Sequence, residues 1–467
     1  MMIYRLLSTL ALCSVSAVAF QVKRNNPLCY HGQALGKCQQ SIRDTIMDPT
    51  ISRDLDSFKS WTKENGVLLA DGLDLSSSPD GDWFISLSKP INEAQVLMTI
   101  PKELRLSSTT IRDELGSDVG KAVEYLQSKK LDEQSHQFYL WIRILQEYEK
   151  GEASKWHGWM KSLPRTFNSA VSMDEEELEC LPPFAWSLAK MVRLHHEAFL
   201  EAIKMIAEGV LSDETKADKE VLLWAFNVVF TRCWGKEDFD DKNRHDLVPM
   251  GDMFNHGDPP NTFIDYDEDT DECHIILKED ADPSTPLKLS YGHSRVPSKF
   301  LSIFGFVDES QTEIFCQMLV TNPTKKHVEI GYDTDKMLFD TRDGTIADAI
   351  FDVTLYSILE QVPELQEKFY RAHVDKDKET KGYLRQQYHL ETCIMIKNHI
   401  DSSLKIFEDV LQKCVNLNPV EHPRLETIYK HNLFFHQTFH KAQGTINAMT
   451  KEEMMIRKER ENSVAAS

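Results

Sequence analysis

Apolar and polar residues alternate through "WFISLSKPINEAQVLMTI", Trp83 to Ile100, predicting two short strands around a turn at Lys89-Pro90. From about residue 107 to 220 the period lengthens to three and four. "HQFYLWIRILQEYEKG" predicts a helix that stops at Gly151, and Leu163-Pro164 breaks the next segment. "MDEEELECL" carries the acids that suit a helix's first turn, and Val221 to Phe230 is a further apolar helix. After Pro249 strands and turns return: "TFIDYDEDTDECHIIL" predicts a hairpin with an acidic tip. Beyond Val307, "IFCQMLV" is strand-like, and helices dominate from about Ala349. On one of them Cys393, Ile396, Ile400, Leu404, Phe407 and Leu411 form a buried stripe. The tail "TKEEMMIRKERENSVAAS" is charged and expected to fray. No internal repeat is visible. The pattern is α+β: a β-rich unit split by a helical insert, followed by a mainly helical domain.

The length of 467 residues suits two or three packed units. A net charge of −21 leaves no basic stripe for nucleic acid and favours a basic partner, such as a Lys-rich segment. After the N-terminus no apolar run is long enough to span a bilayer. Arg5, the apolar run Leu6 to Val15 and Ala17-Val18-Ala19 predict a signal peptide over residues 1–19. Phe20 to Arg43 lacks acids but holds Lys23, Arg24, Lys37 and Arg43, so residues 20–50 read as a transit peptide and linker. "SAVAFQVKR" resembles the bipartite presequences of algae with secondary plastids, which implies a plastid location ahead of a secreted or ER one. The chain has no Asn-x-Ser/Thr acceptor, in keeping with that order. Its nine cysteines form no C-x-x-C pair, so neither a zinc ribbon nor a disulfide scaffold is expected.

Three motifs carry less than they suggest. "HHEAF" lacks the second His of a helical zinc site, because Leu200 stands there, and reads as a helix face. Asp265, Asp267 and Asp269 have calcium-loop spacing, but Thr270 and Ile276 occupy the glycine and bidentate-Glu positions, which leaves a solvated turn. Asn398-His399, on the striped helix, reads as polar surface. No phosphate-binding glycine loop and no recognisable nucleophile occur.

"LVPMGDMFNHGDPPNTF", Leu247 to Phe263, ends an apolar entry in Asn255-His256 and then turns sharply. Upstream lies "WAFNVVFTR", ending in Arg232; 35 residues past His256 comes "LSYG" with Tyr291, then "SKFLSIFGFV". With "WFISLSKPINEAQVLMTIPKEL", "SKWHGWMKSLP", "VTLYSILEQVPEL" and "ETCIMIKNHIDSSL", this ordered set resembles the SET-domain methyltransferases. The branch is the one that includes the Rubisco large-subunit methyltransferase and the actin-histidine methyltransferase. The resemblance covers about residues 51 to 445. It implies a SET domain over 51–307 with a knot-like core and a helical insert near 107–220. A C-terminal helical substrate-binding domain over 308–450 and a charged tail over 451–467 follow.

The resemblance also implies S-adenosylmethionine as cofactor. Asp80, Gly81, Asp82, Arg232, Asn255, His256 and Phe304 would bind it. Arg232, Lys236, Asp252, Tyr266 and Tyr291 would face the substrate, a lysine-containing protein segment, with Tyr291 catalytic. No metal is implied, and a monomer is expected. Methyl transfer from a sulfonium to an amine is an in-line displacement, so alignment can supply much of the catalysis, up to ~7–11 kcal/mol in well-oriented systems. The lysine must arrive neutral, from a free pKa of about 10.4. A narrow apolar channel beside a positive sulfonium would lower it.

The chain departs from the family's pattern in three places. Trp83 stands where the opening loop usually has its second glycine, and could clash with the cofactor or pack over it. Phe304 stands where a Tyr often precedes the final Gly-Phe, and Val296-Pro297 replaces a common Ser-Asn. The alternatives are a histidine methyltransferase and a non-catalytic SET-like binding module, the latter motivated by Trp83.

Overall fold

The structure is a computed structural model that describes residues 46–47, 51–79, 81–235, 244–292, 295–317 and 322–466. The signal segment, the transit segment apart from residues 46–47, Asp80 and Lys236 lie outside the described residues. The chain divides into two compact units: Cys38–Gln311 with Asp409–Phe434, and Thr312–Glu408 with the residues from Phe435. The segment expected as one C-terminal domain over 308–450 therefore contributes 409–434 to the first unit. There Cys414, Leu425 and Ile428 share a small core with Ala170, Cys180 and Leu301.

In the first unit, strands β1 (Leu68–Leu69), β2 (Leu73–Ser77), β3 (Trp83–Leu87) and β4 (Val96–Ile100) open the fold. Trp83, Ile85 and Leu87 are buried on one face of β3, as a period of two requires. The two strands predicted between Trp83 and Ile100 form, but not as a hairpin. β3 pairs with β2, while β4 pairs with β1 and with Cys273–Leu277. The connecting backbone explains this: Ser88 N donates to Gly72 O (2.8 Å) and Ile91 N to Ala281 O (2.9 Å), leading the chain from one sheet to the other.

β5 (Leu106–Ser107) and β6 (Asp246–Leu247) pair antiparallel, so the chain leaves for the helical insert and returns at one place. Within it the helix Ser135–Lys150 is buried on most of its surface, polar Ser135, His136, Gln137 and Glu147 included, and is capped by Gly151 at φ +53°. Trp141 Nε1 donates to Leu222 O (3.0 Å), and Phe138, Phe199 and Phe226 meet edge to face at 5.1 and 5.6 Å. The apolar helix expected over 221–230 runs from Lys219 to Arg232, because Asp218 caps it by accepting from Glu220 N and Val221 N.

β7 (Asn255–His256), β8 (Thr262–Tyr266), β9 (Cys273–Leu277) and β10 (Lys288–Leu289) complete the unit. β8 and β9 form the expected hairpin. Its acidic tip is a turn in which Asp267 Oδ1 accepts from Asp269 N and Thr270 N. β7 and β10 pair in parallel, Asn255 opposite Lys288 and His256 opposite Leu289. This parallel pairing lays the Tyr291 segment along Asn255-His256.

The second unit holds β11 (Glu313–Phe315) and β12 (Leu338–Asp340), antiparallel, and the helices Asp348–Ile358, Pro363–Val374 and Lys378–Gln387. Most of His389–Asn416 and of Leu425–Ala466 belongs here too. The stripe from Cys393 to Phe407 is buried, with Phe407 at 5.3 Å from Phe439. His399, expected on a polar surface, turns its Nε2 to the Cys316 carbonyl at 3.0 Å. The tail does not fray: Leu425–Ala466 is one helix, and Arg457 ties it to Glu391 at 3.0 Å. No helix among the described residues is long and apolar enough to cross a membrane.

Candidate active site

Arg232 ends its helix and sends Nη1 to Asp252, 3.0 Å from Oδ2 and 3.0 Å from the backbone oxygen. Asp252 lies in the single turn Gly251–Met253, entered through Met250 at φ +75°. Its Oδ2 also accepts from Trp159 Nε1 at 3.1 Å. Burial pushes this carboxyl up, against the pull of Arg232 and the Trp159 bond. Asp252 Oδ1 and Arg232 Nε are buried without a hydrogen-bond partner among the described residues. Unused bonding capacity in a buried ion pair is costly, and a polar ligand would satisfy it.

Tyr291 stands beside this pair. Its hydroxyl donates to Phe254 O (2.7 Å), and its backbone N–H donates to His256 Nδ1 (3.1 Å). His256 therefore carries its proton on Nε2, which faces Asp308 Oδ2 at 3.6 Å. Asp308 is held far below the usual carboxylate range. Its own desolvation is outweighed by the facing His256 imidazole and by hydrogen bonds from Ser310 and Gln311. Burial pushes the Tyr291 phenol up to about 12, with Arg232 opposing and Asp252 adding to the shift. Since its proton is committed to Phe254, the phenol oxygen presents lone pairs as an acceptor. An aromatic wall completes the place: Phe304 lies 5.1 Å from Tyr291, and Phe300 lies 4.7 Å from His256.

On the other side, the exposed Asn255 offers Nδ2 to Trp83 O at 3.4 Å, a long contact. The Trp83 ring is not loose in its loop. It is 8% exposed, stacks on Phe58 at 5.8 Å, and lies under the Arg53 guanidinium at 4.6 Å. Arg53 also donates to Gly81 O (2.6 Å), which fixes the loop before Asp82; Gly81 has φ +85°. Desolvation lowers the Arg53 pKa first, then the charge of Arg232, while Asp82 raises it. Arg53 and Arg232 thus both bring positive charge to this loop.

The structure thus brings Arg232, Asp252, Asn255, His256, Tyr291 and Phe304 together, with Gly81 and Asp82 at the rim. Tyr266 is held in its own cluster, accepting from Trp234 Nε1 (3.0 Å) with Arg105 and Arg244 against its ring at 4.8 and 5.4 Å. Sequence reasoning missed Arg53, Trp159 and Asp308. Trp159 sat in a quoted motif, "SKWHGWMKSLP", but nothing local marked its indole as a partner for residue 252. Arg53 and Asp308 had no signal at all, since each is defined by what the fold lays against it.

No protein-family model matches the chain. Among curated proteins, it is 24% identical over 225 residues to the chloroplastic ribulose-1,5-bisphosphate carboxylase/oxygenase large-subunit N-methyltransferase of Pisum sativum, covering 46% of this chain and 42% of that one. It is 21% identical over 306 residues to the actin-histidine N-methyltransferase of Drosophila melanogaster, covering 61% and 54%. SET domain-containing protein 4 of Artemia parthenogenetica is 22% identical over 265 residues, covering 55% and 63%. The chain thus spans about half the length of these relatives. Among solved structures, the SET domain of LSMT bound to lysine and AdoHcy aligns with a TM-score of 0.57 at 17% identity, over 87% of this chain and 93% of that one. Rubisco LSMT bound to AdoMet aligns at 0.56 and 18% identity, over 86% and 93%. In fold and in sequence the chain resembles the SET-domain proteins of this branch, and its α+β architecture is theirs.

Proposed function

We propose that the chain is an S-adenosylmethionine-dependent protein N-methyltransferase that acts on a lysine side chain. The observation that carries this is the Tyr291 phenol, proton committed to Phe254 and oxygen free to accept, beside a buried Arg232–Asp252 pair with unmet bonding capacity. The residues fit the cofactor's chemistry. Arg53 and Arg232 suit a carboxylate, the unpartnered Asp252 Oδ1 suits a cationic or N–H donor, and the exposed Asn255 amide suits a purine edge. When bound, the cofactor supplies an electrophilic methyl group on a positive sulfur.

The chain's own residues would do the rest by orientation. An amine N–H donated to the Tyr291 oxygen turns the nitrogen lone pair away from the phenol, toward an electrophile on the far side. Tyr291 does not act as a base, because its own pKa is pushed up to about 12. The aromatic wall of Phe300 and Phe304 excludes water and favours the neutral amine, the state that can attack. Trp83, the residue that motivated the non-catalytic alternative, has its ring packed against Phe58 under Arg53, which supports the catalytic reading over it. The resemblance to an actin-histidine methyltransferase keeps histidine as the second acceptor. A plastid location rests on the presequence pattern, with the chloroplastic relative in support.

Calorimetric titration with S-adenosylmethionine is the first test. Binding is expected, and Asn255→Ala should weaken it strongly; unchanged affinity would remove Asn255 from the cofactor site. Acid hydrolysis of protein labelled from a methyl-tritiated cofactor separates the acceptors: methyl-lysine supports the reading, and methyl-histidine replaces it.

A further inference from the structure

The segment 409–434 brings together two side chains that methyl transfer does not use. Cys180 sits at the C-terminal end of the helix Glu175–Glu179, and Cys414 lies in the last turn of His389–Asn416. Both are free thiols, 0% and 5% exposed, and share one small core with Leu178, Leu301 and Ile428. Their backbones are locked side by side. Lys413 Nζ donates to Glu179 O (3.3 Å), and Asn432 Nδ2 donates to Cys180 O (2.8 Å) while reaching Cys414 Sγ at 3.9 Å. The Asn432 amide therefore touches both cysteines inside one packed core. Around them the same two segments are clamped again: His422 Nδ1 lies 2.9 Å from Asp174 Oδ2, and Arg424 N donates to Glu177 Oε1 at 2.8 Å.

We propose that Cys180 and Cys414 are a redox modification site, closed to a disulfide by a hydroperoxide. Cysteines that share one amide neighbour and one packed core need little backbone movement to bond. The neighbouring Cys414 thiol, aided by the charges of Lys413 and His422, lowers the Cys180 pKa, so Cys180 is the sulfur that reacts first. It attacks the peroxide O–O bond, becoming the sulfenic acid as one water leaves. The Cys414 sulfur then displaces that hydroxyl, which departs with the Cys414 proton as a second water. Two thiols lose two electrons, and hydrogen peroxide becomes two waters. By contrast, burial pushes Cys233 and Cys273 up to about 12, which keeps them as unreactive thiols.

The bond would also reach the aromatic wall. Asn432 Oδ1 lies 3.0 Å from His431 Nδ1, and His431 Nε2 lies 2.8 Å from Ser298 Oγ, on the helix that bears Phe300 and Phe304. The site itself does not depend on the methyltransferase reading.

The test treats the native full chain with hydrogen peroxide, quenches it in acid, and denatures it with N-ethylmaleimide before non-reducing digestion and mass spectrometry. The expected product is a peptide pair linking Cys180 to Cys414, lighter by two hydrogens than the two thiol peptides and released by dithiothreitol. The unfolding midpoint should rise by roughly several degrees on oxidation, since the bond closes the whole 180–414 loop. Cys414→Ala should abolish the linked peptide while Cys233→Ala leaves it. Recovery of both Cys180 and Cys414 as maleimide adducts, or their pairing with other cysteines, overturns the proposal. If Cys414→Ala does not fold, the wild-type peptide map decides alone.

Discussion

Tyr291 is where a single atom can be tested. On the proposed reading its hydroxyl orients the amine through an accepted hydrogen bond, so Tyr291→Phe should keep the fold and the cofactor affinity while lowering turnover by ~10²-fold, the scale of losing one oriented dipole. Single-turnover kinetics with saturating cofactor would check this; normal turnover would move the orienting group elsewhere. Phe304 is the neighbouring departure, half-buried with its ring 5.1 Å from Tyr291. With Phe there, one acceptor is missing near the amine, so a methylated amine can rotate its lone pair back for another round. Di- or trimethyl product is expected from the native protein, with a shift toward monomethyl in Phe304→Tyr. Identical product states in the two proteins would reduce Phe304 to packing. Both residues were legible in the sequence because their motifs are contiguous: "LSYG" and "IFGFV" each carry their own company. Arg53 was not legible, since a lone Arg before a helix gains meaning only when Gly81 and Trp83 are laid against it.

Elements with a strong internal period were read correctly. The helix Ser135–Lys150 and the β8–β9 hairpin each contain enough of their own pattern to declare themselves. Pairing partners were not legible: alternation in β3 and β4 says that each is a strand, not that β2 and β9 flank them. The same holds for the helix Pro297–Phe304, whose position depends on what it touches. It ends at Gly305 in the left-handed region, φ +77°, and a Cβ there would stand 2.4 Å from the backbone carbon of Asn168. Gly305→Ala therefore meets both backbone strain and a clash with main chain, which cannot swing aside. A loss of about 2 kcal/mol or more is expected, read as a lower denaturation midpoint. Cofactor affinity should fall with it, because Phe304 and Phe306 flank that glycine. An unchanged midpoint would mean that the insert moves away from residue 305 at little cost.

At the scale of the whole molecule, stability against acid follows from buried imidazoles rather than from the net charge. His431 is fully buried between Ser298 and Asn432, and burial lowers its pKa to about 4. Burial likewise lowers His195 and His196 to about 4; their rings pack against Phe230 and Phe226. A folded-state pKa below the unfolded value of about 6.5 means that the unfolded chain binds protons first as pH falls. Stability from these groups is therefore fully present above pH 6.5 and drains away as pH falls toward 4. Asp308, depressed by its hydrogen bonds, adds a loss of the same sign at lower pH. His422 opposes them: Asp174 raises its pKa, so its contribution is present below 6.5 and lost as pH rises through the raised value. One fully buried and two half-buried imidazoles outweigh one partly exposed pair, whose ion-pair gain is screened by solvent. The unfolding midpoint of the first unit should thus drop steadily between pH 6.5 and 4. His431→Gln, which keeps a polar partner for Ser298 but cannot take up a proton, should flatten that drop even if it lowers the midpoint at neutral pH. Thermal unfolding at half-unit pH steps checks it, and parallel profiles for the two proteins would show that His431 takes no part in the acid response.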